Sequence, residues 1–136
     1  MRTLDGVSYY NDSKATNTDS AIKALEAFDG HIILIAGGDD KLTDLTEFMA
    51  LVHARVDELI LVGDATERFA AAALEAGIAA KQIHRAGYHM TEAVRIAHER
   101  ASAPQTVLLS PACASFDMYG GYEERGRDFK RIVNEL

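Results

Sequence analysis

His31-Ile32-Ile33-Leu34-Ile35-Ala36-Gly37-Gly38-Asp39-Asp40-Lys41 is the stretch whose reading decides the fold. Its first six residues form a continuous, largely β-branched apolar run, which suits a strand covered on both faces in the middle of a parallel sheet. The paired glycines that follow permit positive φ and close backbone approach, and Lys41 then stands at the carboxyl edge of that sheet. Taken as a bare motif, a strand-to-helix turn with a solvated lysine is the plainer account. Thr43 is expected to open a helix with Leu45, Phe48, Met49 and Val52 on its apolar side.

The same alternation extends in both directions. Leu59-Ile60-Leu61-Val62 repeats the apolar run, and Asp64-Ala65-Thr66-Glu67 has the form of a capping box for a helix reaching Ala76 and ended by Gly77. Ile83 to Arg85 makes a poor strand, and Thr91 to Ala101 a helix with Val94 and Ala97 inward. Pro104 separates that helix from a strand at Thr106 to Leu109. The segment from Val107 to Gly126 reads as strand, loop and helix, with Phe129, Ile132, Val133 and Leu136 on one helical face. Towards the N-terminus, Val7 to Tyr10 alternates weakly and can serve as a short first strand, while Met1 to Gly6 carries little information and looks like a cut start. A polar loop, Asn11 to Asn17, precedes a helix from about Thr18 to Phe28 with Ala21, Ile22, Leu25 and Phe28 at helical spacing, capped by Asn17 or Thr18. Five β-α repeats at short connection lengths predict an α/β fold. The expected form is a Rossmann-like three-layer domain, a mostly parallel sheet of five to six strands with helices on both faces.

With 136 residues and 48% hydrophobic content, the chain is large enough to bury one core without staples. Fourteen basic against 21 acidic residues give a net charge of −7, and no Lys or Arg cluster is present, which argues against nucleic acid as a partner. A single cysteine excludes an internal disulfide. Neither a leader nor an apolar run near 18 residues appears, so the expected location is cytoplasmic with no membrane partner. A monomer is expected, although nothing in the residues decides the oligomeric state. The five histidines, His31, His53, His84, His89 and His98, lack metal spacing with one another or with Cys113, so no metal site is expected. Cys113 lies among alanines without a nucleophile signature and reads as a small buried hydrophobe.

Two loops carry candidate chemistry. Asn11-Asp12-Ser13-Lys14-Ala15-Thr16-Asn17 can be explained as cap and turn chemistry, yet Lys14 opposes the dipole of the helix that follows, which points to something negative nearby. Ser110-Pro111-Ala112-Cys113-Ala114-Ser115 follows a strand, where small residues let N–H groups and a Ser hydroxyl approach an anion. Asp39, Asp40 and Asp64 are also similar to the acidic pocket of a phospho-receiver domain. Against that alternative, a receiver carries Lys-Pro after its last strand where this chain has Ser110-Pro111.

Three of these stretches together resemble the D-glutamate-adding Mur ligases. They are Asn11 to Asn17, Gly37-Gly38-x-x-Lys41, and Ser110-Pro111-Ala112-Cys113-Ala114-Ser115-x-Asp117 followed by Arg125-Gly126 and Phe129. The likeness spans essentially the whole chain and is to the C-terminal domain of that family. It implies a full-length ligase with an N-terminal domain for UDP-N-acetylmuramoyl-L-alanine and a central ATP-binding domain that uses Mg. No Gly-x-x-x-x-Gly-Lys-Ser/Thr phosphate loop occurs in these 136 residues. By resemblance, Lys41 and Thr16 would hold the α-carboxylate of D-glutamate, with Lys14 close by. Ser115 and the backbone N–H of Tyr122 would hold the side-chain carboxylate, and Asp12 would lie near the ATP ribose. At Gly120 and Tyr122 the chain departs from a common Lys and Phe, which leaves a backbone contact at Tyr122. The next Mur ligase of the pathway resembles a pattern with Asp-Asn-Pro-Arg in this domain, and this chain has no such run, so the resemblance implies glutamate and not a diamino acid as the substrate.

Overall fold

The computed structural model describes residues 2–136. Six strands form one sheet: β1 (Arg2–Leu4), β2 (Val7–Asn11), β3 (Ile32–Gly37), β4 (Val56–Val62), β5 (Ile83–Arg85) and β6 (Thr106–Leu109). Their spatial order is β1-β2-β6-β3-β4-β5, with every pairing parallel except that of β1 with β2. Five helices connect or follow them: α1 (Thr18–Glu26), α2 (Thr46–Arg55), α3 (Thr66–Glu75), α4 (Met90–Arg100) and α5 (Tyr122–Asn134). The predicted three-layer α/β architecture is the one found.

β3 lies inside the sheet, between β6 and β4, and all six of its residues are buried. Its pleat divides the core. Ile32, Leu34 and Ala36 pack with Leu25 of α1, Phe48 and Met49 of α2 and Phe69 of α3, while Ile33 and Ile35 pack with Met90 and Val94 of α4 and Phe129 and Ile132 of α5. Each fully buried side chain of this size contributes roughly 1.5–3 kcal/mol relative to exposure. The two cores hold the carboxyl ends of β2, β6, β3 and β4 in one row, and the loops that leave those ends carry the polar motifs.

Several local expectations are corrected. Residues 2–6 are not featureless, because Arg2–Leu4 pairs with β2 through a two-residue turn at Asp5 and Gly6, whose φ values are 53° and 79°. Asp-Gly with positive φ at both positions is the preferred tight hairpin turn. Helix α2 begins at Thr46 and not at Thr43, since the Asp44 carboxylate accepts from the Thr46 N–H at 2.9 Å and from its hydroxyl at 2.7 Å. The Asp64–Glu67 capping box does not form. Asp64 instead accepts from the Tyr88 hydroxyl at 2.5 Å, Glu67 pairs with Arg85 at 2.8 Å, and α3 starts behind Ala65 without a side-chain cap. Leu136 lies past the end of α5 and is 38% exposed, outside the face formed by Phe129, Ile132 and Val133. Asn17 does cap α1, accepting from the Ser20 N–H at 2.9 Å.

Candidate functional site

The loops after β2, β3, β4 and β6 are tied together by backbone hydrogen bonds. Asp12 N–H donates to the Leu109 carbonyl at 2.8 Å, Ala112 N–H to Ala15 at 3.0 Å, Gly37 N–H to Pro111 at 3.0 Å and Asp39 N–H to Ala114 at 2.8 Å. Ala65 N–H donates to Gly38 at 3.0 Å, which joins the fourth loop. Gly38 makes this closeness possible: its φ is +133°, and a Cβ there would stand 2.5 Å from the Ala114 carbonyl oxygen.

Arg125 is the hub of the assembly. The residue is 2% exposed, and its guanidinium donates to the Ser13 hydroxyl at 2.9 Å, the Ser13 carbonyl at 2.7 Å and the Cys113 carbonyl at 3.0 Å. Among the described residues no carboxylate lies within salt-bridge distance of it. Burial lowers the guanidinium pKa to about 10, which leaves it charged at neutral pH. Asn11 adds a second tie, its side-chain amide donating to the Gly126 carbonyl at 2.8 Å. Sequence reading quoted Arg125 and Ser13 but gave neither a role. The signal was present: residues 125, 129, 132 and 133 share one helical face, so the arginine sits on the apolar stripe of α5.

The expected site residues divide between two settings. Asp12, Lys14, Thr16 and Ser115 lie on the interlocked loops after β2 and β6, and Tyr122 is the first residue of α5. Lys14 and Tyr122 line one shallow concavity of about 320 Å³ with Asn11, Ser13 and Gly126. Lys41 stands apart, exposed and beyond the last inter-loop bond at Asp39. A larger groove of about 600 Å³ runs between α2 and α3, but its arginine, Arg68, is committed to Asp40 at 3.0 Å and to the Thr43 carbonyl.

Electrostatics distinguish the polar groups. The Ser115 hydroxyl is buried and has no hydrogen-bond partner among the described residues, and the same holds for Oδ1 of Asp117. Such orphaned groups are uncommon, because an unsatisfied buried donor or acceptor costs about 1–3 kcal/mol. Burial raises the pKa of Asp12 against the opposing effect of the Ser110 hydroxyl, which donates to it at 3.1 Å. Burial pushes the Cys113 thiol up to about 12, so it is a protonated, packed side chain at neutral pH and not a nucleophile. Asp40 accepts from Arg68 and Asp64 from Tyr88, so two of the three acidic residues of the receiver alternative are engaged by other side chains.

Residues 1–113 match the family described as "Mur ligase, glutamate ligase domain". The chain belongs to this family. It is 48% identical over 136 residues to the UDP-N-acetylmuramoylalanine--D-glutamate ligase of Symbiobacterium thermophilum, covering 100% of the chain and 30% of that relative. The like-named ligase of Clostridioides difficile is 45% identical over 136 residues, again with 100% and 30% covered. That of Caldicellulosiruptor bescii is 45% identical over 140 residues, with 98% and 28% covered. This Mur ligase glutamate ligase domain therefore spans about three tenths of the length of the curated relatives it matches. No helix among the described residues is long and apolar enough to cross a membrane.

Proposed function

We propose that this chain is the D-glutamate-holding domain of a cytoplasmic, monomeric, ATP-dependent ligase that joins D-glutamate to UDP-N-acetylmuramoyl-L-alanine in peptidoglycan precursor synthesis. The observation that carries this reading is Ser115, a buried hydroxyl without a partner on a loop already locked to its neighbours. A pre-positioned donor lacking an internal acceptor suits a ligand carboxylate. Lys41 and Thr16 take the α-carboxylate, Ser115 and the Tyr122 N–H the side-chain carboxylate, and Lys14 adds positive charge nearby. The Tyr122 amide is among those at a helix start that have no intrahelical partner, and the dipole there favours an anion.

In this reading ATP is a substrate that phosphorylates the alanyl carboxylate. The amine of D-glutamate, once it has lost a proton, attacks the acyl-phosphate carbonyl. A tetrahedral intermediate forms and collapses with cleavage of the carbon–oxygen bond to phosphate, giving the amide and inorganic phosphate. The chain's own contribution is positioning, which turns a bimolecular attack into an effectively intramolecular one. Asp12 fits a ribose contact, because only one of its carboxylate oxygens is engaged by Ser110. No group of three or more His, Cys, Asp or Glu residues suited to a metal occurs among the described residues, so no step is assigned to Mg on this chain. The phosphate loop and the UDP-sugar site belong to parts of the ligase beyond these residues, and the chain alone is inactive. Two or three charge-assisted bonds at about 1.5–3 kcal/mol each, set against an association cost of at least about 4 kcal/mol, leave millimolar or weaker D-glutamate binding by the domain alone.

The test is steady-state turnover of the full-length ligase carrying this domain, at varied D-glutamate, with Lys41→Ala and Ser115→Ala. The expected result is a sharply raised KM for D-glutamate with the KM for ATP largely kept. Unchanged KM for D-glutamate in both variants overturns the reading.

A further inference from the structure

Ser13 joins the two halves of the proposed dicarboxylate site. Its side chain is 4% exposed, and its hydroxyl meets Arg125 Nε at 2.9 Å and the Tyr122 carbonyl at 2.7 Å. A guanidinium can only donate, so the serine oxygen accepts from Arg125, and its single proton goes to the Tyr122 carbonyl. The orientation of the hydroxyl is thereby fixed. The Ser13 carbonyl is held by a second Arg125 nitrogen at 2.7 Å, and the Ser13 N–H donates to Asn11 Oδ1 at 3.2 Å. Every polar group of this residue is engaged, and its partners come from both its own loop and α5.

The placement matters because of what stands on either side. Lys14 follows Ser13 directly, and Thr16 is three residues on, its N–H bonded to the Lys14 carbonyl at 2.8 Å. Tyr122, whose carbonyl the hydroxyl grips, is the first residue of α5, so its N–H is among those without an intrahelical acceptor. Packing at the same junction is tight: a Cβ on Gly126 would stand 3.2 Å from Ser13 Cβ and 3.3 Å from Asn11 Nδ2. Loop and helix therefore meet at a fixed separation, set by the Ser13 hydroxyl together with the Arg125 and Asn11 bonds beside it and by the absence of a side chain at residue 126.

We infer that Ser13 is a specificity-determining positioning residue: by fixing the first turn of α5 against the loop of Lys14 and Thr16, it sets the distance between the donors for the two carboxylates, and with it the length of amino acid accepted. The inference rests on the reading above of where the two carboxylates of D-glutamate lie. A hydroxyl that only satisfied Arg125 would affect stability and leave substrate length discrimination untouched. One methylene in a well-defined site is worth about ten- to two-hundredfold in kcat/KM, so a loosened junction has a measurable range in which to act.

The experiment uses the full-length ligase carrying this domain and compares D-glutamate with D-aspartate and D-2-aminoadipate, one methylene shorter and one longer. The variants are Ser13→Ala, which deletes the hydroxyl, and Gly126→Ala, which keeps it and wedges loop from helix. Expected for each is a KM for D-glutamate raised about tenfold, a kcat and KM for ATP within about twofold of wild type, and selectivity against the two homologues reduced about tenfold. Selectivity at the wild-type value in either folded variant overturns the inference, as does an equal fall of kcat for all three amino acids. Where Ser13→Ala fails to fold, Gly126→Ala decides, because it keeps the Ser13 hydroxyl and changes only the spacing at the junction, where the added Cβ presses on Ser13 Cβ and Asn11. Lys41→Ala measured alongside separates the two levels. If it raises the KM for D-glutamate while the Ser13 and Gly126 variants keep their selectivity, the site reading stands and the role of Ser13 falls. If that KM is unchanged both in Lys41→Ala and in Ser115→Ala, the site reading falls and takes the inference with it.

Discussion

The loop after β2 and the loop after β3 leave the same sheet edge and are held in opposite ways. The first is anchored from within: Ser13 is buried, Arg125 grips both its hydroxyl and its carbonyl, and Asn11 reaches α5. The second is anchored only at its root, by Gly37, Gly38 and Asp39. Beyond that its ties are an Asp40 carboxylate that accepts from the Leu42 N–H and from Arg68, and the bond from Arg68 to the Thr43 carbonyl. Leu42 is 74% exposed, and Lys41 stands in solvent beside it. The difference teaches how this edge divides its work. A buried cation among neutral oxygens builds the rigid frame, and a long side chain on an outer loop supplies reach without contributing to that frame.

The largest break in this comparison comes from Arg125→Leu. It leaves the buried Ser13 and Cys113 carbonyls without donors, at about 1–3 kcal/mol each, and removes the side-chain bridge that adds to the backbone bonds between the β2 and β6 loops. The expected loss is about 3–5 kcal/mol in urea unfolding of the isolated chain. A loss below about 1 kcal/mol would show that the frame is held by backbone bonds alone. Gly38→Ala acts next, by forcing a Cβ to within 2.5 Å of the Ala114 carbonyl at a φ of +133°. About 2–3 kcal/mol of destabilisation is expected from the same measurement, since strain and clash add.

How much of this was legible beforehand follows the physics of each element. The apolar runs of β3, β4 and β6 reveal themselves because strands buried on both faces need continuous hydrophobicity, and the Asn17 cap follows from side-chain chemistry. β1 was missed because three residues give no periodicity, although Asp5-Gly6 carried the turn signal. The Asp64–Glu67 box failed because both side chains found better partners in Tyr88 and Arg85, which lie far along the chain. Arg125 and Ser13 were passed over for a related reason. A charged residue in a helix and a serine in a polar loop each read as solvated, and only their meeting across 112 positions makes them a buried pair.

Asp117 sharpens the comparison through pH. Its Oδ2 accepts from the Asp64 N–H at 2.9 Å, bridging the β6 and β4 loops, while its Oδ1 is buried without a partner. Burial, followed by the neighbouring Asp64 and Asp39 charges, raises its pKa above the usual 3.8 in spite of that bond. A carboxyl with a raised native pKa binds its proton more tightly when folded, so stability declines as pH rises from about 3.8 through the native value and then levels off. Asp117→Asn should lack that decline, and wild type should lose ground to it over the same interval in urea midpoints. The difference is expected to stay under about 1 kcal/mol, because the carboxyl is partly solvated.

Lys41→Ala is the smallest stability effect and the most pointed test. The side chain is exposed, makes no hydrogen bond or ion pair among the described residues, and lies beyond the inter-loop bonds, so unfolding of the isolated chain should shift by no more than about 0.5 kcal/mol. In the full-length ligase the same change removes a charge-assisted bond to the α-carboxylate, worth roughly tenfold or more in the KM for D-glutamate. A variant that destabilises the chain would place Lys41 in the frame, contrary to the division drawn between the two loops. A variant neutral in both assays would make the outer loop mere covering, and the reach attributed to it would have to come from Lys14 on the rigid side.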